Sequence, residues 1–522
     1  MSDSTRTALH GPIGPVSWTQ ATALLILAAT AVRIVALAIS PVELYPDESQ
    51  YWVWSHQFDW GYFSKPPMIA WLIGSSTAIF GVSDFAIRLP ASLLHALTAT
   101  FLALTTRRIA GNRAGFWAAL VYLTTPAVFL SSGVISTDAV LMMFWSCALY
   151  ALIRLRGGAG LGTAAALGLS IGLGFLSKYA MIYFVVGTGL AVLLDPPARR
   201  ALISLKGLLA TALAIALVTP NLLWNAANDF ATLQHTADNA NWGADLFHFA
   251  EMADFVLAQL GVFGPALFPI LMVAAFGALR GLLRADGDPL RLLALYVLPA
   301  LLVVTAQAFI SRAHANWAAA SYVAGTVLVT FFLLSGPAWR RYVLYGSVAV
   351  STAAGLIFMA MALQPRLADD LGWANAFKRV RGWETSATAI ADAANGAGYD
   401  ALLFDDRNVF HQMQRYGGAI EPPLYMWQRY GGAHNHADMT WPLPDGYEGR
   451  VLVVSERPLD TPRIRDDFQS FETAGEITIP LGGGRERHFT LWRARGYDRV
   501  ARTQAYEARW SEIDAETLRG ER

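Results

Sequence analysis

The chain has 522 residues, 54% of them hydrophobic and 15% charged, with 39 basic against 39 acidic side chains and a mean hydropathy of +0.38. That composition excludes an ordinary soluble domain and reads as a polytopic membrane protein. Zero net charge offers no basic surface for nucleic acid, and the one cysteine, Cys147, excludes an intramolecular disulfide and any Cys-x-x-Cys site.

Residues 1–17 are polar and carry no cleavage-site pattern, so they read as a cytoplasmic tail before an apolar segment that stays as an anchor. A bilayer core takes about 20 apolar residues per helix. Apolar runs near 18–40, 86–106, 114–131, 138–153, 161–177, 180–194, 202–220, 252–279, 292–310, 317–335 and 342–363 then suggest about eleven spans. The run 67–80 is short for a span and suits a re-entrant or interfacial helix.

Sidedness follows from the basic loops. If 67–80 does not cross, Arg107, Arg108 and Arg113, Arg154 and Arg156, Arg199, Arg200 and Lys206, Arg280, Arg284 and Arg291, and Arg340 and Arg341 all face the cytoplasm. The loop holding Asp47 and everything after 364 then lie on the opposite side. Five polar clusters come to that same face: Asp47, Glu48 and Lys65; Thr137 and Asp138; Ser177, Lys178 and Tyr179; Asn221 and Asn225; Arg312, His314 and Asn316.

The first loop is the most informative stretch, because charges beside hydrocarbon are expensive to keep. Asp47 and Glu48 are adjacent and would point about 100° apart on a helix, so one carboxylate works while the other supports it. From the residues alone the pair is as readily the cap of a helix over 49–56. Lys65, presented by Pro66 and Pro67, suits a phosphate ligand or a snorkelling interface lysine. Asp138, at a helix start, reads first as a cap. Lys178 is either an anchor or an anion ligand, Arg312, His314 and Asn316 either anchor the chain with Trp317 or bind ligand, and Arg33 reaches a bundle carboxylate or the interface.

Beyond Pro365 the composition becomes mixed and polar, which reads as an α/β domain over 365–522. It should contain a helix at 384–397, strands at 401–404, 451–454 and 489–492, and a turn between two strands at Gly482-Gly483-Gly484. His434, His436 and Asp438 have metal-like spacing without a third ligand on a helix and read as a surface loop. No Walker loop or Gly-x-Gly-x-x-Gly supports nucleotide chemistry. A divalent metal cofactor stays open, but no residue spacing supports one.

Several motifs together carry a resemblance. Pro46-Asp47-Glu48-x-x-Tyr51, Gly61-Tyr62-Phe63-x-Lys65-Pro66-Pro67, Phe80-Gly81-x-Ser83-x-Phe85-Ala86-x-Arg88-Leu89-Pro90, Ser136-Thr137-Asp138, Leu176-Ser177-Lys178-Tyr179 and Asn316-Trp317 resemble GT-C membrane glycosyltransferases. The likeness is to the bacterial branch akin to protein O-mannosyltransferases and the lipid A aminoarabinose transferase. It implies a GT-C catalytic domain over 18–364 with about 11–13 spans, juxtamembrane helices in a first periplasmic loop over 41–85, and a periplasmic 365–522 domain. It also implies a bacterial inner-membrane location.

The activity implied is inverting transfer of one sugar from a polyprenyl-phosphate carrier to a lipid or glycolipid acceptor, such as lipopolysaccharide or lipid A, with membrane lipids as the surroundings. Asp47 would be the principal catalytic carboxylate, Glu48 its neighbour and Asp138 a second acid. Lys65, Lys178 and Arg312 would hold donor phosphate, and Tyr51, Tyr62, Tyr179, His314 and Asn316 would contact substrate. The aminoarabinose enzymes carry an acid just before that lysine and an arginine two residues after the acid pair; here Ser64 and Gln50 stand there. Protein O-glycosylation, or a transporter or flippase with a receptor domain, are the alternatives.

Overall fold

A computed structural model describes residues 16–238, 246–280 and 288–520. Most of the expected tail and Arg284 lie outside them. The chain divides into two compact units, one of residues 1–40, 59–61 and 65–360 and the other of 41–58, 62–64 and 361–522. The sequence reading placed 41–85 whole with the membrane domain. The structure draws the line differently, grouping 41–58 and 62–64 with the C-terminal residues.

The first unit is helical. Among the described residues, six helices are long and apolar enough to cross a bilayer: Trp18–Ile39, Asp84–Ala110, Thr137–Arg156, Leu205–Ala227, Pro289–Ile310 and Ala338–Leu363. Two bent pairs raise the count to eight, Tyr179–Leu194 with Pro196–Leu202 at 113° and Phe249–Val262 with Leu267–Arg280 at 105°. Met68–Phe80, Leu161–Ser177 and Ser321–Leu334 are shorter apolar helices. Of the about eleven expected spans, several are thus bent pairs or shorter apolar helices.

Prolines account for much of this. The run 114–131 breaks into Asn112–Thr124 and Pro126–Ser131 because Pro126 has no N–H to continue the ladder. The run 252–279 bends at Gly264, whose φ of +120° only glycine adopts readily, and at Pro265. Ser83 and Ser136 cap the Asp84–Ala110 and Thr137–Arg156 helices, accepting from Ala86 and Ala139 N–H, and Arg107, Arg108, Arg154 and Arg156 close their last turns. Leu161–Ser177 packs closely on Leu205–Ala227: a Cβ on Gly168 would fall 2.3 Å from the Ala210 carbonyl oxygen. Arg33, expected to find a carboxylate or the interface, is buried; it donates to the Leu123 carbonyl at the helix break (2.6 Å) and lies over the Phe129 ring. Its charge suits those helix-end carbonyls.

The second unit is built on a five-stranded sheet ordered β2-β1-β3-β5-β4, with β1 at Ala401–Phe404, β2 at Leu424–Met426, β3 at Val451–Ser455, β4 at Phe468–Gly482 and β5 at Arg485–Tyr497. β2, β1 and β3 are parallel, with Leu402 opposite Leu424 and Leu452, while β3-β5 and β5-β4 are antiparallel. Gly482, Gly483 and Gly484, all at positive φ, turn the β4-β5 hairpin. The expected strands are present, including the strand before the glycine turn, while β2 and the Arg407–Tyr416 helix are additional. One face of the sheet packs Phe404, Leu452 and Phe489 against Trp383, Ile390, Phe410 and Met413. The other packs Leu403, Val453 and Ala494 against Trp427 and Ile464.

Candidate active site

In the helical unit, three predicted site residues converge. Asp138 lies in the first turn of Thr137–Arg156, and since Ser136 is the cap, its carboxylate is available for other contacts. Lys178, the residue that ends Leu161–Ser177, donates to Asp138 Oδ1 at 2.7 Å. Asn316 Nδ2 donates to Oδ2 at 2.8 Å. Both charged side chains are mostly buried, at 20% and 14% exposed, where an unpaired ion would be costly. The ammonium keeps two further donors beyond the carboxylate.

A second cluster begins at the next residue. Tyr179 OH donates to Asn221 Oδ1 (2.8 Å) and accepts from Asn225 Nδ2 (3.0 Å), and Asn221 Nδ2 donates to the Trp60 carbonyl at 2.6 Å. Residue 61 approaches the Trp224 ring so closely that a Cβ there would sit 2.4 Å from it. The 59–61 segment is therefore pinned to the Leu205–Ala227 helix. Four residues on, Lys65 is half-buried before Pro66, Pro67 and the Met68–Phe80 helix.

Arg312 and His314 are exposed. Their loop is held from below: buried Gln259 donates to the Ala315 carbonyl at 3.2 Å and accepts from Tyr322 OH at 2.6 Å, and Gln307 donates to the Arg312 carbonyl at 3.2 Å. His314 packs edge-on against Trp317.

In the other unit, the helix expected over 49–56 runs Pro46–Trp54, and its first turn separates the two acids. Glu48, fully buried, accepts from Tyr45 N–H at 2.8 Å as the reciprocal arm of a capping box. Asp47 is half-buried and, among the described residues, accepts no hydrogen bond and forms no ion pair. Tyr51 is buried against Trp54. Tyr62 stacks on Trp54 with ring centres 4.8 Å apart and donates to the Gln57 carbonyl at 2.6 Å. Both tyrosines thus serve as packing in this unit.

His436 was read as part of a surface loop. It is instead buried at the start of a short helix, His436–Thr440, against the Trp54 and Tyr62 rings. Asn435 and Asp438 form that helix's capping box, so Asp438 is occupied by backbone N–H groups. Burial holds the His436 imidazole down at about 4, and burial with His436 and Arg407 as neighbours lowers His411 as well. Among the described residues, no three His, Cys, Asp or Glu side chains gather as a metal cage.

Sequence reasoning also passed over Gln412, fully buried on Arg407–Tyr416. It accepts from Ser49 Oγ (2.8 Å) and donates to the Leu44 carbonyl (2.8 Å). Nothing local marks such a residue, since its partners lie more than 360 positions away. Asn221 and Asn225 were visible only as polar residues in an apolar run.

The chain resembles known proteins along most of its length. Residues 64–224 match the family described as dolichyl-phosphate-mannose-protein mannosyltransferase. The lipid A galacturonosyltransferase RgtD of Rhizobium johnstonii is 33% identical over 455 residues, 86% of this chain and 94% of that protein. An undecaprenyl phosphate-alpha-4-amino-4-deoxy-L-arabinose arabinosyl transferase of Pseudomonas fluorescens is 29% identical over 150 residues, 26% of this chain and 27% of that one. ArnT from Cupriavidus metallidurans has the same fold, with a TM-score of 0.60 at 16% identity over 90% of this chain and 97% of that one, both in the apo state and bound to undecaprenyl phosphate.

Proposed function

This chain belongs to the GT-C superfamily of polyprenyl-phosphate-sugar-dependent glycosyltransferases, and from that premise we propose that it moves one uronic acid sugar from undecaprenyl phosphate to lipid A. The reaction is placed on the periplasmic face of a bacterial inner membrane, as the distribution of basic loops supports. The relative matched over most of both chains is named for galacturonosyl transfer to lipid A. The charge pattern favours an anionic sugar. Where enzymes for a cationic amino sugar are expected to carry an acid before the lysine, this chain has Ser64 before Lys65.

The observation that carries the catalytic assignment is the division of labour in the first turn of Pro46–Trp54. Glu48 is consumed as a cap, so Asp47 is the carboxylate left to take a proton from an acceptor hydroxyl. As the hydroxyl oxygen bonds to the anomeric carbon from the face opposite the phosphate, the glycosidic C–O bond breaks and the configuration inverts. General base action of this kind contributes about 10²- to 10⁴-fold. The departing lipid phosphate gains charge, which Lys65, Lys178 and Arg312 stabilise more in the transition state than in the ground state. Asp138 and Asn316 orient Lys178 rather than move protons, because both carboxylate oxygens are already engaged. Tyr179 and His314 are placed beside these cations as sugar contacts. No metal is assigned a step.

The test is purified protein in vesicles containing lipid A and undecaprenyl-phosphate-linked galacturonate, with product masses read by mass spectrometry. A single-sugar mass increase on lipid A that is lost in Asp47→Asn is expected. Transfer by that variant at the parent's rate would remove the base assignment, and a product on protein hydroxyls would replace the acceptor.

A further inference from the structure

The first-loop helix that bears Asp47 is too short to orient itself. It has nine residues, and isolated helices of that length are marginal in water. Seven of the nine are buried, leaving Asp47 and Trp52 as the more open positions. Its direction is therefore imposed by its partner, the Arg407–Tyr416 helix of the same unit.

Hydrogen bonds between Glu43 and Ser49 tie the segment to the rest of its unit. Glu43 accepts from the Trp383 and Glu384 N–H groups at the start of the Trp383–Ala394 helix (2.7 and 2.9 Å), and its own N–H donates to the Val380 carbonyl at 3.1 Å. Leu44 N–H donates to Tyr416 OH at 2.7 Å. Gln412 is the centre, because one side chain holds both the Leu44 carbonyl ahead of the helix and Ser49 Oγ inside it. Two fixed points on either side of Asp47 set the helix's rotation as well as its place. Gln412 is neutral, so it does this without adding charge near Asp47.

We infer that the C-terminal unit works as the holder of the Asp47 helix, with Gln412 as a positioning residue for the proton-accepting carboxylate. The inference rests on the proposed role of Asp47. A misplacement of about 1 Å costs on the order of 100-fold in rate, so losing this clamp should be felt in turnover more than in donor affinity.

The experiment compares Gln412→Ala, Ser49→Ala and Asp47→Asn in the full-length protein in vesicles, reading kcat, donor KM and the thermal unfolding midpoint. Gln412→Ala should lower kcat about 10- to 100-fold with donor KM within about twofold of the parent and an unfolding midpoint shifted by no more than a few degrees. Ser49→Ala removes one of the two bonds and should fall between. Unchanged kcat in Gln412→Ala would overturn the inference, as would a kcat loss that tracks a large drop in the midpoint, which is plain destabilisation. If Asp47→Asn is inactive while Gln412→Ala turns over normally, the inference alone fails. If Asp47→Asn turns over normally, the base assignment fails and the inference with it.

Discussion

Asn221 in the helical unit and Gln412 in the C-terminal unit do the same job in two settings. Each is fully buried, donates to a backbone carbonyl of the first loop, and accepts from a hydroxyl, Tyr179 in one case and Ser49 in the other. The settings differ in how charge is treated. Next to Tyr179 lies Lys178, already paired with Asp138, as a cation among apolar helices has to be. Next to Ser49 lies Glu48, satisfied by a backbone N–H, and then Asp47, which has no such partner among the described residues. Neutral amides thus hold the first loop at both places, while Glu43 and Glu48 are spent on backbone N–H groups and Asp47 is not.

Asn221→Leu breaks the comparison hardest. It keeps the volume but removes the acceptor of Tyr179 OH and a donor to the Trp60 carbonyl, a loss of about 2–5 kcal/mol where the site stays buried. Lower donor affinity should accompany a lower unfolding midpoint, in contrast to the turnover effect expected at Gln412. Donor affinity equal to the parent's would mean that the two amides are not equivalent.

Asp138→Ala is the next largest. It leaves Lys178 and Asn316 without their acceptor, at about 1.5–3 kcal/mol, and donor KM should rise. Asp138→Asn keeps the contact with Lys178 and should recover part of the loss. If Asp138 instead moved a proton, Asn would be as poor as Ala in turnover, which steady-state kinetics would reveal.

Gly61→Ala is smaller, about 1–2 kcal/mol, because the half-buried Trp224 ring can shift away from the new methyl group. The change is read as a shift in Trp fluorescence and unfolding midpoint. A midpoint equal to the parent's would show that the 59–61 segment is not pinned by this contact.

A pH slope in the C-terminal unit supplies an independent test. Burial raises Asp405 and Glu456 to about 7 from 3.8 and 4.5. Their folded forms hold protons that the unfolded chain has released, so they favour folding most at low pH and lose that contribution as pH rises from about 4 to 7. His436 works the other way: at about 4 when folded, it resists the proton that the unfolded chain takes up below 6.5, and stability falls as pH drops through that window. Asp405→Asn should therefore flatten the decline between pH 5 and 7, and His436→Phe the opposite limb, in urea titrations followed at each pH. An unchanged slope in Asp405→Asn would assign the titration to Glu456 alone.

Much of this was legible locally. Apolar runs marked the helices, and short apolar runs marked β1, β3 and β5, because both are written in consecutive residues. β4 was legible only as a strand leading into the Gly482-Gly483-Gly484 turn and not in its extent, because exposed Glu472 and Glu476 on an edge strand break the apolar pattern. The acids at 47 and 48 were visible as a pair, but only the fold separates the cap from the open carboxylate. Lys178 and Asp138 were weighed singly, since residues 40 apart carry no sign of their ion pair. Arg33 lacked its expected carboxylate because a helix break, not an acid, supplies its acceptor.

The membership of residues 41–58 in the C-terminal unit has a consequence for how the protein is made. The chain emerges from the ribosome in order, and domains generally fold as units from the N-terminal end. Here Ser49 in the helix bearing Asp47 is synthesised 363 residues before Gln412, so the helix's final packing waits until the whole membrane unit has been made. Closing so long a loop adds little free energy per added residue but delays the contact. Activity should therefore appear only after synthesis of the last third is complete, which keeps unfinished chains in the membrane catalytically silent.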